Sequence, residues 1–260
     1  MIDVDDNREV IASIFSNMNN TPLVLSYLQG YIGKGWADRK MNPTCAQILV
    51  GDFSILAGDS TSENADLLVF NIPSQSKYPW LLIIPQHNGW SRLIEKHYPD
   101  RNYRMTRYAI KNDTKFSIDN LQVNIKNLNS KYELLRIDER LYNLCLKHPQ
   151  LKDLCSHFLS PEDYVRHGLG FCIVHNGEVV CGASSYAVYD DGIELEIDTD
   201  ERYRRQGLAT VCASRLIIEC INTGRYPRWD AATKVSLELA KKLGYEFSHE
   251  YVAYAIKMNC

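Results

Sequence analysis

The sequence predicts a mixed α/β protein, in which short strands and helices alternate along the chain. Three observations support this fold class. Residues 193–198 alternate apolar and acidic side chains, with the two-residue period of a strand that has two different faces. Apolar residues then recur at helical spacing from Leu208 to Cys220, and Gly224 follows where a helix would end. Asn176-Gly177 and Asp190-Asp191-Gly192 are hairpin-turn sequences between strand-like runs.

The first half predicts helices, then strands, then a helix and a closing strand. Residues 7–29 favour one or two helices, with Thr21 as a candidate N-cap, Pro22 at the first helical position and Gly30 as a stop. The segments that follow are predicted as strands at 46–58, 66–72 and 80–85, a helix at 90–98 and a strand at 103–111. An asparagine-rich stretch comes next, and we place a domain boundary within it near residue 130.

The second half, residues 131–260, is predicted to be a second domain. Ser160, Pro161 and Asp163 form a helix-start signature in which the serine caps and the aspartate closes a capping box. The predicted elements begin with a strand at 132–138 and helices at 139–148, 150–159 and from 160. Three antiparallel strands from 167 to 198, a helix from 208, a strand at 225–232, a helix ending at Gly244 and a final strand or hairpin follow.

Composition narrows the classes of function. The chain has 260 residues, a formal charge of −3 and an isoelectric point near 6.2, so no overall positive charge attracts nucleic acid or an anionic membrane. No stretch approaches the roughly 18 apolar residues of a membrane span, and the acidic start lacks a signal-peptide core. We therefore expect a cytoplasmic protein. Its eight cysteines fall mostly in apolar runs without metal-ligand spacing, which favours reduced, buried thiols and no metal.

The sequence between the acidic strand and the following helix departs from what helix stability favours. A helix N-terminus carries a partial positive charge, yet Arg202, Arg204 and Arg205 lie just before it. Gly207 removes a side chain where a ligand could approach the backbone, and Ala209 is also small. These features fit a phosphate-binding turn. They fit equally well a solvated, arginine-rich helix entry whose glycine serves only the turn.

Two sequence blocks resemble those of a known family. RRQGLA, residues 204–209 and hereafter the arginine turn, lies between an alternating strand and an apolar helix. It resembles the acyl-CoA pyrophosphate loop of the GCN5-related N-acetyltransferase (GNAT) superfamily. WDAATKVSLELAKKLGYEF, residues 229–247, is similar to the closing strand, helix and "KLGF" turn of that superfamily. GFCIVHNGEVVCGASSY, from residue 170, further resembles a two-domain bacterial GNAT subfamily.

The resemblance covers about residues 131–260 and implies a GNAT fold there, with a mixed, mostly antiparallel sheet flanked by helices. Residues 1–130 would form an N-terminal α/β domain, which could be a degenerate GNAT-like copy without a cofactor loop. The implied ligands are acetyl-CoA and an amine-bearing small molecule or protein, with no metal, nucleic acid or membrane. The implied assembly is a monomer or homodimer.

Family positions also imply the cofactor site. The segment of Ile197, Asp198 and Thr199 would hold the pantetheine arm through its backbone. The pyrophosphate would lie on Arg204, Arg205, Gln206, Gly207, Leu208, Ala209 and Thr210. Thr233, where many members have asparagine, and Ser236 would complete the cofactor site.

Acetyl transfer needs a neutral amine, so a carboxylate is a sensible general base. The candidates, in order, are Glu196, Glu194 and Asp230; each could instead be a solvated or ion-paired carboxylate. The tyrosine that often protonates the leaving thiolate in the family is replaced by Ala240, and Tyr254, Tyr251 or solvent could take its place.

Three functions remain open from the sequence. The first is an acetyl-CoA-dependent N-acetyltransferase that uses direct transfer in a ternary complex. The second is a non-catalytic acyl-CoA sensor or interaction module, and the third is a nucleotide-binding protein that uses the same arginines.

Overall fold

The computed structural model describes residues 1–18, 21–72 and 79–258. Two compact units result: Met1–Arg107 with Glu250–Cys260, and Tyr108–His249. The predicted boundary near residue 130 does not coincide with this division, because residues 108–130 pack within the second unit. There Leu121 is buried in the core, and the Asn124 side chain donates to Ser214 Oγ at 3.0 Å. The second unit thus begins and ends earlier in the chain than the predicted domain 131–260.

The described residues of the first unit form short strands, three α-helices and a 3-10 helix over Asp5–Met18. Its strands are β1 (Ile2–Asp3), β2 (Lys34–Ala37), β3 (Cys45–Val50), β4 (Phe53–Gly58), β5 (Trp80–Pro85) and β6 (Asn102–Ile110), whose last residues belong to the second unit. Its helices are α1 (Pro22–Leu28), α2 (Ala65–Phe70) and α3 (Asn88–His97).

The second unit contains a sheet with helices and two 3-10 turns, Lys152–Leu154 and Glu201–Tyr203. The helices are α4 (Ile118–Lys126), α5 (Glu139–Lys147), α6 (Pro161–His167), α7 (Leu208–Asn222) and α8 (Lys234–Lys242). The strands are β7 (Glu133–Arg136), β8 (Gly170–His175), β9 (Glu178–Tyr189), β10 (Gly192–Thr199), β11 (Tyr226–Arg228), β12 (Asp230–Ala231) and β13 (Phe247–Lys257), which ends in the first unit.

Local sequence signals mostly lead to the expected structures. Asn176 and Gly177 have φ of 51° and 82°, the left-handed pair that a tight hairpin turn requires. Ser160 Oγ accepts the N–H of Asp163 at 3.1 Å, as a capping serine should. Thr21 takes the N-cap position of α1 without a side-chain hydrogen bond.

Two element predictions are wrong. The predicted strand at 66–72 is instead the helix α2 over residues 65–70. Its residues Ala65, Leu68 and Val69 are buried with the spacing of one helix face. Residues 150–159 were predicted as a helix, but the described helical structure there is only the turn Lys152–Leu154. Short apolar runs are compatible with either element, so tertiary burial decides between them.

The sheet of the second unit has the order β11-β10-β9-β8-β7 and is antiparallel except for the pair β10 and β11. Helix α7 joins these two strands and packs on one face of the sheet, against β8 and β9. The other face is covered by the Lys152–Leu154 turn, since a Cβ at Gly182 would meet Leu154 Cδ1 at 2.5 Å. The fold is therefore mixed α/β, with a mostly antiparallel sheet between helical layers.

The first unit repeats this order. Strands β2, β3 and β4 are antiparallel, α2 follows β4, and β5 is parallel to β4. The corresponding series in the second unit is β8, β9, β10, α7 and β11. The last strand of the chain, β13, then pairs with β5 in antiparallel fashion. This repetition is what a degenerate second copy of one fold would produce.

Candidate active site

Two parallel strands of the second unit separate after a short shared ladder. Strand β10 pairs with β11 only from Gly192 to Glu194. It continues to Thr199 in pairing with β9, after a register shift between Glu194 and Leu195. The chain beyond β11 instead forms β12, which pairs with the end of β6. The edge of β10 from Leu195 to Thr199 is thus separated from β11, and its main chain can bind an extended ligand as another strand would.

The open strand leads into a turn anchored by one buried carboxylate. Asp200, whose side chain is 3% exposed, accepts from Arg202 Nη2 at 2.7 Å and from the Arg202 backbone N–H at 2.9 Å. His148 Nε2 lies 3.1 Å from Asp200 Oδ2. The hydrogen bonds from Arg202 hold the pKa of Asp200 well below its ordinary range. Arg202 is therefore engaged in an internal ion pair. Arg204 and Arg205 are exposed, and the Arg204 Nε donates to the Thr199 carbonyl at 3.2 Å, so their outer nitrogens face solvent where an external anion could bind.

The arginine turn has an unusual backbone. Arg205 and Gly207 both lie in the left-handed region, with φ of 63° and 80°. Gly207 is the N-cap of α7, and a Cβ at this position would have nothing within 4 Å. The first helical hydrogen bond runs from Val211 N–H to the Gly207 carbonyl, and no side chain caps the helix. The N–H groups of the first turn of α7 are consequently available to an anion, and the helix dipole favours negative charge there.

One face of β10 carries Glu194, Glu196 and Asp198, which are all partly buried. Glu194 Oε1 accepts the backbone N–H of Asp230 at 2.8 Å. Glu196 is paired across the sheet with Ser184, whose hydroxyl is 2.7 Å from the buried hydroxyl of Tyr164. Burial raises the pKa of Asp198 to about 7, nearby Asp153 adds to this, and Arg204 opposes it. Asp198 can therefore exchange a proton near neutral pH.

The residues present fit an acyl-CoA molecule: an open strand edge for an amide-bearing arm, followed by backbone donors and two arginines for a pyrophosphate. A model of the GNAT acetyltransferase family matches residues 12–254. The chain belongs to this family. Among the described residues, no group of His, Cys, Asp and Glu side chains is arranged to hold a metal ion, and no helix is both long and apolar enough to cross a membrane.

Several GNAT proteins are similar to this chain. The crystal structure of a GCN5-related N-acetyltransferase-like protein from Streptococcus suis 89/1591 is 38% identical, with a TM-score of 0.88 over 96% of this chain and 98% of that chain. The uncharacterized N-acetyltransferase YdfB of Bacillus subtilis (strain 168) is 35% identical over 97 residues, which span 36% of this chain and 37% of that protein.

A tandem GNAT protein from the clavulanic acid biosynthesis pathway is 10% identical, with a TM-score of 0.56. That match covers 98% of this chain and 96% of the tandem protein. At this identity, the likeness concerns the fold alone.

The predicted GNAT site residues do not all lie in one unit. Residues 194–210, Asp230, Thr233 and Ser236 belong to the second unit. Thr233 Oγ1 accepts the Ser236 N–H at 3.1 Å, so the threonine is the N-cap of α8 as expected. Tyr254 belongs to the first unit, where its buried hydroxyl donates to Glu95 at 2.6 Å, and burial raises its pKa. Its role as a catalytic acid stays a prediction.

The structure shows contacts of three residues, Ala240, Tyr132 and His148, that the sequence did not predict. Ala240 is fully buried in the core of the second unit, so the site of the usual family tyrosine is here a packing position. Tyr132 donates to Gln206 in the arginine turn at 2.7 Å, and His148 binds Asp200. These pairs are separated by 74 and 52 residues, so no local sequence signal could have connected them.

The corresponding strands of the first unit remain together. Strand β4 pairs with β5 from Phe53 to Leu56, and the Gln86 N–H then continues the ladder to the Leu56 carbonyl at 2.9 Å. The Gln86 side chain also accepts the N–H of Gly58 at 2.9 Å, at the end of β4. The connection to α2, residues 59–64, contains no arginine. Within the described part of the first unit, the strand separation and the arginine turn thus have no counterpart.

Proposed function

We propose that this GNAT protein is an acetyl-CoA-dependent N-acetyltransferase that transfers an acetyl group to an amine by direct attack in a ternary complex. The observation that carries the proposal is the separation of β10 from β11 directly before the arginine turn and the uncapped start of α7. The edge of β10 around Ile197 and Thr199 would hold the pantetheine arm through main-chain hydrogen bonds. Arg204, Arg205 and the first N–H groups of α7, from Leu208 to Thr210, would bind the pyrophosphate.

Acetyl-CoA supplies an activated acyl group as a thioester. The acceptor nitrogen forms a bond to the carbonyl carbon, the bond from that carbon to sulfur breaks, and its electron pair leaves with CoA as a thiolate. The nitrogen must lose a proton, and the thiolate must gain one. These two transfers define the work that side chains of this protein can do.

Glu196 remains the first choice for the general base. It lies on the partly buried carboxylate face of β10, next to the separated edge. Glu194, whose carboxylate accepts the Asp230 backbone N–H at 2.8 Å, is the second candidate. Asp230 stays the third candidate. Solvent, Tyr254 or Tyr251 would protonate the thiolate; the Tyr251 hydroxyl lies 3.2 Å from Arg107 Nε in the first unit.

The test has two steps. Acetyl-CoA should raise the unfolding temperature of the protein, whereas ATP should not. Incubation with acetyl-CoA and mixtures of small amines or peptides should then yield acetylated products and CoA, detected by mass spectrometry, because eight cysteines would disturb thiol reagents. Stabilisation by ATP alone would instead favour a nucleotide-binding protein and refute the proposal.

A non-catalytic acyl-CoA sensor is the second candidate, and the buried Ala240 is the observation that favours it. This alternative predicts that acetyl-CoA raises the unfolding temperature of the protein, but that no class of amine yields an acetylated product. We further propose a cytoplasmic monomer or homodimer, with a small molecule or a protein amine as acceptor. Free, buried cysteines among the described residues are consistent with a reducing compartment.

A further inference from the structure

We propose that Tyr132 is a positioning residue, which holds the arginine turn in the conformation that binds the pyrophosphate. The inference rests on the proposed function, since it assigns a role in acyl-CoA binding. Tyr132 lies before β7, at the start of the region of resemblance but outside its three quoted sequence blocks, and it reaches the turn through its hydroxyl.

The arginine turn requires support from outside its own residues. Gln206 lies between Arg205 and Gly207, and both of these have left-handed backbone conformations. For Arg205 this conformation is unfavourable, because its Cβ crowds the following carbonyl group. Such residues keep their conformation only where neighbouring groups hold them. The Tyr132 hydroxyl supplies such a contact at the middle of the turn, donating to Gln206 Oε1 at 2.7 Å.

Tyr132 is itself well fixed. The residue is 7% exposed, and its ring meets the edge of the His175 ring with centroids 5.0 Å apart. Lys131 Nζ lies 4.8 Å from the centre of the same ring. The Tyr132 backbone N–H donates to the Asn129 carbonyl at 3.0 Å. Because ring and backbone are both held, the hydroxyl has a defined position and can orient Gln206 before any ligand arrives.

The contact changes the role expected of Gln206. Its side-chain oxygen is occupied by Tyr132, so Gln206 serves the site by fixing the path of the backbone between Arg205 and Gly207. A turn that is ordered in advance loses less conformational entropy when the ligand binds. Losing one neutral hydrogen bond of ordinary strength should therefore weaken acetyl-CoA binding by about three- to tenfold.

The test is Tyr132→Phe, which removes the hydroxyl and keeps the ring. Acetyl-CoA affinity is measured by isothermal titration calorimetry, and the unfolding temperature is measured without ligand. The matched control is Tyr142→Phe, because Tyr142 is also buried in the second unit but donates to the Phe158 carbonyl at 3.2 Å. Both variants should lose some stability, whereas only Tyr132→Phe should raise the Kd for acetyl-CoA.

Gln206→Ala completes a double-mutant cycle. Gln206 is exposed, so this variant should fold even if Tyr132→Phe does not, and it should show a similar three- to tenfold loss of affinity. The double variant should bind no more weakly than either single variant. Fully additive effects, or an unchanged Kd in Tyr132→Phe and Gln206→Ala, would overturn the inference while leaving the proposed function intact. A wild-type protein that does not bind acetyl-CoA would overturn both.

Discussion

Gly207→Glu is the substitution that addresses the arginine turn most directly. The residue is the N-cap of α7, has φ of 80°, and is exposed, and a Cβ there would have nothing within 4 Å. The Cβ of a glutamate would therefore meet no neighbouring atom, and its carboxylate would place a negative charge where we propose that the pyrophosphate binds.

Two effects contribute to the change, and their magnitudes differ. A side chain in the left-handed region costs about 1–2 kcal/mol of stability, which a small folded unit usually tolerates. Two unit charges about 4 Å apart near a protein surface repel by about 4 kcal/mol, and salt reduces this value. We therefore expect the folded protein to persist and acetyl-CoA affinity to fall by a factor on the order of 100 or more.

Matched variants separate these effects. Gly207→Ala introduces the backbone strain without the charge and should lose stability but little affinity. Gly224→Glu adds the same charge at the C-terminal end of α7, where φ is 72° and a Cβ would also have nothing within 4 Å. Titration calorimetry and thermal unfolding give both quantities for each variant. If Gly207→Glu is folded and binds acetyl-CoA as tightly as Gly224→Glu, the assignment of this turn to the pyrophosphate is wrong.

Four further outcomes are expected. Arg204→Ala should weaken acetyl-CoA binding by about 1.5–3 kcal/mol in calorimetry, the range for a charge-assisted hydrogen bond. Glu196→Gln should keep that affinity but lower kcat/KM by about 10² to 10⁴, most at low pH, where solvent provides little neutral amine; equal pH profiles for variant and wild type would exclude Glu196 as the base. The pKa of Asp198 is raised to about 7, so the folded state binds this proton more tightly than the unfolded state does. The free energy of unfolding should therefore fall as the pH rises from about 5 to 8. Urea unfolding should show that this fall is about 1–3 kcal/mol larger in the wild type than in Asp198→Asn. Calorimetry should also give one acetyl-CoA per chain, because strands β4 and β5 stay paired; two sites would contradict this.

Local rules predicted much of the second unit. Tight hairpins need left-handed residues, so Asn176 and Gly177 identified the first turn from sequence alone. Ser160 and Thr233 were recognisable as N-caps, because serine and threonine before a helix can accept a backbone N–H of its first turn. In the structure each hydroxyl accepts the N–H three residues later. The arginine turn was recognisable because clustered arginines before a helix contradict the usual helix-dipole preference.

Non-local packing accounts for what the sequence did not reveal. Helix α4 belongs to the second unit because Leu121 is buried in that core, and no feature of residues 111–130 indicates this. The pairing of Tyr254 with Ile83 similarly places the end of the chain in the first unit. The contacts that hold the arginine turn from Tyr132 and His148 join residues that only the tertiary fold brings together.

The two units use the same strand order but differ where the parallel pair ends. In the first unit the backbone of Gln86 continues the ladder to Leu56, so β4 and β5 remain joined. In the second unit the N–H of Asp230 donates to the Glu194 carboxylate at 2.8 Å, after the ladder has ended. This carboxylate satisfies a backbone group at the point where β11 leaves β10, and thereby stabilises the separated strands. Glu194→Gln retains an acceptor oxygen, so it should preserve this contact. We therefore interpret Glu194 as a residue that stabilises the separated strands, while Glu196, on the same face, remains our first choice for proton abstraction.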